Sequence, residues 1–158
     1  NVDSLKGYFL SLKLFNNDGV EQSNNLYWLS SKPDVVDPDF SHSSWIYTPN
    51  VEFTDLTYLR RLPKANVSFK VLDVREVGEY SIRKIQLKNI SDKISFFNEF
   101  TLIDQNKQPL LPVLWSDNYV SLLPGEVKNL EVKYKLSDSF KKKLEFTANT
   151  INTKIEVK

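Results

Sequence analysis

From Ala65 to Val157 the chain runs in short segments where apolar and polar residues alternate, and no segment of useful length carries a helical period. A period of two puts successive side chains on opposite faces of a strand. Val67, Phe69 and Val71 alternate with Ser68 and Lys70, predicting one apolar and one wet face. Tyr80 and Ile82 are followed by Ile85 and Leu87, and the slip of phase at Arg83-Lys84 predicts a bulge. Asn89-Ile-Ser-Asp92 reads as a turn. Ser95 to Asp104 is a third strand, with Phe96, Phe100 and Leu102 on one face and polar Asn98 interrupting that row. Asp104 to Lys107 turns again. Leu110 to Trp115 and Tyr119 to Leu123 flank a kink at Ser116-Asp117-Asn118, and Pro124-Gly125 is a tight turn. Leu130, Val132 and Tyr134 alternate with Glu131, Lys133 and Lys135. Ser139 to Lys143 is a charged loop between the last strands, Leu144 to Thr147 and Ile151 to Val157. Strands at a spacing of about 8–12 residues predict an all-β sandwich.

The first 62 residues differ. Tyr8, Leu10, Leu12 and Leu14 share one face of a strand, with Ser11 and Lys13 on the other. Asn16-Asn-Asp-Gly19 is a turn, and Val20 to Leu29 returns as the second strand. Two strands alone are marginal in water, so this hairpin is expected to be the end of a preceding domain. Its apolar face is expected to dock on the sandwich or to pair between two chains as an artificial dimer. Pro33, Pro38 and Pro49 then punctuate a segment with Trp45, Ile46, Tyr47, Phe53 and Tyr58. Proline disfavours regular structure, yet the aromatics are too apolar for a free linker. An ordered strap follows, with one helical turn in Asp55 to Arg61 capped by Thr54 or Asp55.

Composition removes several function classes. The net charge of +1, with both signs interspersed, offers no footprint for nucleic acid or an anionic membrane. Cysteine is absent, so thiol chemistry is impossible. No apolar run approaches the ~18 residues of a membrane span. The chain has neither Met nor a leader-like segment. An excised C-terminal portion of a longer protein is the simplest expectation, with a processed mature protein as the alternative.

Several motifs occur in a meaningful order. Asn25-Leu-Tyr-Trp-Leu-Ser-Ser-Lys-Pro-Asp34 is followed by Trp45-Ile-Tyr-Thr-Pro49 and Asp55-Leu-Thr-Tyr-Leu59. Then come Lys88-Asn-Ile-Ser-Asp92 with Phe96-Phe97, and the run Val113 to Glu126 that holds Asp117-Asn-Tyr119 and Leu122-Leu-Pro-Gly-Glu126. Together they resemble the C-terminal immunoglobulin-like region of family 2 glycoside hydrolases, on the exo-β-glucosaminidase and β-mannosidase branch. The strap leans towards exo-β-glucosaminidase. The resemblance implies a hairpin closing a preceding immunoglobulin-like domain at 1–29, a connecting strap at 30–62 and a C-terminal immunoglobulin-like β-sandwich at 63–158. It implies a parent enzyme, periplasmic or secreted, that removes terminal β-linked sugars in a separate barrel. This chain would pack on that barrel or its neighbours. It would be a non-catalytic accessory region, with no catalytic residue, cofactor or metal of its own.

Retaining glycosidases need two carboxyl groups roughly 5–5.5 Å apart, and the resemblance implies that the acid/base Glu follows an Asn. Asn98-Glu99 matches that dipeptide but sits on a strand, outside any strand–helix alternation, and reads as coincidence. His42 is the only histidine, and Ser41 beside it lacks a nucleophile elbow. Asp34, Asp37 and Asp39 are spaced like hard-cation ligands, but the segment lacks the Gly and Glu of a calcium loop. Asn66-Val-Ser68 and Asn89-Ile-Ser91 fit the glycosylation triplet. Tyr27, Trp28, Trp45 and Tyr47 are aromatic enough to stack on sugars, with domain packing favoured for Trp28, Trp45 and Tyr47. Trp115, Asp117, Asn118 and Tyr119 are the candidates for a carbohydrate rim, although Asn and Asp in kinks often satisfy their own backbone. A carbohydrate-binding module, or an adhesion or surface-display sandwich, are the alternative functions. Affinity for glycans marks the first, and neighbouring sandwiches without a barrel mark the second.

Overall fold

The computed structural model describes residues 7–136 and 144–157. The charged loop expected at 139–143 lies outside them. The chain divides into two compact units, Asn1–Arg61 and Leu62–Lys158.

In the first unit, β1 (Gly7–Phe15) and β2 (Glu21–Ser30) form an antiparallel hairpin. Its turn is closed by Asn16, whose Oδ1 accepts the Asp18 and Val20 amides, and by Gly19 at φ 75°. Tyr8 faces Leu29 and Leu10 faces Tyr27 across the pair. β3 (Val35–Val36) pairs with β4 (Asn50–Glu52), and a 3₁₀ turn at Thr57–Arg61 is capped by Asp55, which accepts the Thr57 amide. Tyr58 lies against Gly7, where a Cβ would stand 2.2 Å from its ring, and its hydroxyl donates to the Leu29 carbonyl. None of the described residues in this unit is buried.

The second unit is a two-layer sandwich. One sheet joins β12 (Thr153–Val157), β5 (Ala65–Val77), β6 (Tyr80–Asn89), β10 (Val127–Lys135) and β8 (Val113–Trp115), in that order. β12 runs parallel to β5, and the other neighbours are antiparallel. The second sheet is β11 (Glu145–Asn149), β7 (Ser95–Ile103) and β9 (Val120–Leu122). Val67, Phe69, Ile85, Leu87, Leu130 and Val132 of the first sheet meet Phe100, Val120 and Leu122 of the second in one buried cluster. Burying such side chains contributes roughly 1.5–3 kcal/mol each. The tight turn is as expected: Pro124 precedes Gly125 at φ 75°, and the Glu126 amide donates to the Leu123 carbonyl, which is type II geometry.

The expected strand faces need two corrections. The bulge lies on β5, not at Arg83-Lys84. Val71 faces Ile85 and Asp73 faces Lys84, so Leu72 is the extra residue. The core-facing row of β5 therefore ends early, and Val71 is exposed. β6 keeps an unbroken register against β10. Arg83 consequently takes a position in the core-facing row. Its Nε donates to Tyr134 Oη at 2.8 Å, and its guanidinium lies 5.5 Å and 5.8 Å from the Tyr134 and Phe146 ring centres. A weakly hydrated planar cation fits such an aromatic site. Ser68, expected on a wet face, is buried.

Asn98 stands in the row with Phe96, Phe100 and Leu102, as expected, and is buried there as its polar member. A Ser95/Asn98 register shift against β9 marks a second bulge, with Phe97 at φ 55°. Asn98 Nδ2 donates to Ser95 Oγ and the Val120 carbonyl, each at 2.7 Å. Asn152 is more fully engaged. Its Oδ1 accepts the Phe96 amide at 2.9 Å, and its Nδ2 donates to the Pro63 and Ile94 carbonyls at 2.7 and 2.8 Å. Asn89 Nδ2 joins the two sheets by donating to the Leu122 carbonyl at 3.0 Å.

Replacing Asn152 strands several buried backbone groups, each worth about 1–3 kcal/mol. Asn152→Ala is expected to destabilise the fold by about 2–4 kcal/mol in urea unfolding. Asn24→Ala, which removes only an exposed bond to Glu21, should change stability by less than about 0.5 kcal/mol.

Candidate functional site

The kink between β8 and β9 divides the rim candidates. Trp115 belongs to the core: it is half-buried, 6.5 Å from the Phe100 ring and 6.0 Å from Phe146 in an edge-on contact. Asn118 completes a sheet. β9 pairs with β7 as far as Val120 opposite Asn98. Beyond that point the Asn118 side chain takes over, accepting the Phe100 amide at 2.8 Å and donating to the Phe100 carbonyl at 2.9 Å. Asp117 accepts the Asn118 amide and is ion-paired with Lys128.

With its neighbour's side chain holding the sheet, Tyr119 turns outward at φ 55° and is 50% exposed. Its ring centre lies 5.3 Å from that of Phe97, tilted by 43°. Its hydroxyl donates to Glu99 Oε1 at 2.9 Å, while Asn149 Nδ2 donates to Glu99 Oε2 at 3.3 Å. These side chains, with Thr150 and Ile151, line a depression of about 210 Å³. Glu99 forms no ion pair with any described residue, whereas Asp117, Glu131 and Glu145 pair with Lys128, Arg75 and Lys107. Of these side chains the sequence offers Tyr119 as a rim candidate and Glu99 only as part of a coincidental dipeptide, and it does not single out Phe97. The alternation of β7 points Phe97 and Glu99 outward, but the backbone turn that brings Phe97 beside Tyr119 leaves no mark in residue type.

The other sequence candidates do not converge. Asn98-Glu99 spends its amide on Ser95 and Val120 and its carboxylate on Tyr119 and Asn149. Asp39 and Ser41 both approach the same His42 nitrogen, Nδ1, at 3.9 and 3.5 Å. A nucleophilic triad needs them on opposite ring nitrogens. Asp34, Asp37 and Asp39 each accept a backbone amide, from Thr54, Asp39 and Ser41. The Ser41 bonds hold the Asp39 carboxyl below its usual range. No group of three or more metal-ligating side chains occurs among the described residues. The second glycosylation triplet is closed, because Asn89 is fully buried. Trp45 is 95% exposed.

Hydrogen bonding to Glu99, then repulsion from its charge, raises the Tyr119 phenol above the ordinary value of about 10. A phenol raised in the folded state contributes stability that is fully present below its unfolded pKa. That contribution is lost as pH rises through the folded value. Glu99→Gln should therefore bring the Tyr119 titration, followed by ring-carbon NMR, down to lower pH. An unchanged midpoint would show that the Glu99 contact is not formed in solution.

The chain is 36% identical over 133 residues to exo-beta-D-glucosaminidase of Streptomyces avermitilis, across 83% of this chain and 14% of that protein. It is 39% identical over 127 residues to exo-beta-D-glucosaminidase of Arthroderma benhamiae, across 80% of this chain and 14% of that one. It thus spans about a seventh of the length of these curated relatives. The crystal structure of Amycolatopsis orientalis exo-chitosanase CsxA matches with a TM-score of 0.84 at 32% identity, covering 94% of this chain and 18% of that chain. A complex of the same enzyme with PNP-beta-D-glucosamine matches with a TM-score of 0.83. The immunoglobulin-like sandwich expected from the sequence is thereby established. The family described as exo-beta-D-glucosaminidase Ig-fold domain matches residues 45–153, and the chain belongs to that family.

Proposed function

We propose that this chain is a non-catalytic accessory region of a family 2 glycoside hydrolase, an exo-acting β-glucosaminidase, and that it supports the enzyme's catalytic barrel and neighbouring domains. The observation that carries this role is the family match over residues 45–153, which takes in part of the first unit and nearly all of the sandwich. The small share of each relative that the chain spans favours one part of a multidomain enzyme. Within the chain, the Asn98-Glu99 dipeptide lies on strand β7 of the sandwich and not in a barrel.

The hairpin has a defined task in this role. Tyr8, Leu10, Tyr27 and Leu29 lie on one face of β1 and β2, and Tyr8, Leu10 and Tyr27 are exposed. A two-stranded element with no buried residue gains too little to persist by itself. We assign its apolar face to the sheet of a neighbouring immunoglobulin-like domain of the same enzyme. A periplasmic or secreted location belongs to the same proposal.

A polypeptide joining this region to its barrel should release p-nitrophenol from PNP-β-D-glucosaminide. The 158-residue chain alone should release none. Deleting residues 62–158 should lower the melting temperature of the joined enzyme. Hydrolysis by the isolated chain, abolished by changing one of its own carboxylates, would overturn the assignment.

A further inference from the structure

Phe97 and Tyr119 both hold φ near 55°, and neither is glycine. Left-handed backbone costs an L-residue about 1–2 kcal/mol. Elsewhere the chain meets this demand with Gly19, Gly78 and Gly125, and with one other non-glycine residue, Lys107 at φ 62°, in the tight turn between Asp104 and Gln108. The bulge at the start of β7 explains why position 97 needs positive φ, and the Asn118 substitution in the sheet explains position 119. Neither explains an aromatic residue, since Gly or Asn would satisfy both places with less strain. Strain retained at two touching positions marks a site where the side chains are needed.

What the two rings flank is chemically specific. Glu99 is half-buried and oriented from both sides by neutral donors, the Tyr119 hydroxyl and the Asn149 amide. It bears a negative charge with no cation paired to it among the described residues. Two tilted aromatic faces with an oriented carboxylate suit a ligand that has one apolar face and one positive charge. The depression of about 210 Å³ is smaller than the roughly 300–1,000 Å³ of drug-sized sites, which points to a single ring bound weakly. A protein partner would need about 1,000 Å² of matched surface, and here the apolar area is two rings and Ile151 with polar neighbours.

We propose that Phe97, Glu99 and Tyr119 form a binding site for a protonated amino sugar, its pyranose face on the rings and its ammonium on Glu99. The choice of an amino sugar rests on the glucosaminidase assignment above. The site itself rests on the local geometry. Its use would be to hold a distal sugar of a polymeric substrate while the chain end is cleaved elsewhere.

The test is an NMR titration of the 158-residue chain with a β-1,4-linked glucosamine tetramer, using cellotetraose as the neutral control. The glucosamine tetramer should bind with a Kd on the order of 1 mM and shift the amides of Phe97, Glu99 and Tyr119. Glu99→Gln should weaken it by about three- to fivefold, the scale of one exposed ion pair, and remove the preference over cellotetraose. Tyr119→Asn, which tolerates the left-handed backbone, should abolish binding while the core amides keep their positions. No shift at about 10 mM tetramer, equal binding of both tetramers by the unaltered chain, or binding that survives both substitutions would each overturn the site. Because the titration uses this chain alone, its failure leaves the glucosaminidase assignment standing. Lack of glucosaminide hydrolysis by the joined enzyme would remove that assignment without altering the titration.

Discussion

At three places where a strand of this sandwich bends or stops, an asparagine carboxamide takes the place of the missing peptide group. A carboxamide carries a donor and an acceptor in nearly the same geometry as the backbone unit it replaces. That matters in a dry core, because an unpaired backbone group there costs as much as several weak contacts supply. Asn118 extends β9 by bonding both polar groups of Phe100. Asn152 gathers Pro63, Ile94 and Phe96 at one end of the sandwich. Asn89 ties the end of β6 to Leu122 in the facing sheet. The apolar cluster of Val67, Phe69, Leu87 and Leu122 supplies the driving force. At those three places the carboxamides pair the backbone groups that the strand leaves behind.

The same device creates the surface feature of interest. Because the side chain of Asn118 holds the sheet, its backbone is released from the ladder and Tyr119 is free to point away from the core. The bulge at Phe97 does the same on β7, and Glu99 follows it on the outward side. A rigid two-sheet scaffold thus presents two aromatic rings and a carboxylate from residues whose backbone is fixed by buried bonds. Sites built in this way are better defined than sites on free loops.

Much of this was legible in the sequence where one rule acted alone. The alternation of Leu130, Val132 and Tyr134 reads directly as a core-facing row, and all three are buried. Pro124-Gly125 reads as a turn because both residues meet the dihedral demands of type II. Legibility failed where two rules competed. Arg83 looked like a break in phase because a charge is not expected in a core-facing row, yet Tyr134 and Phe146 receive it. The rim candidates Trp115 and Asn118 were drawn from a correctly read kink, but the fold turns one inward and spends the other on Phe100. Pairing between Phe97 and Tyr119 depends on two φ values, which residue type does not report.

The claim that carboxamides stand in for missing strands is tested most directly by amide hydrogen exchange under native conditions. The Phe96 and Phe100 amides, bonded to Asn152 and Asn118 side chains, should exchange as slowly as the core amides of β10, only through global unfolding. Exchange of either amide at the rate of the exposed β1–β2 turn would show that its side-chain bond opens freely and that the sandwich is held by apolar packing alone.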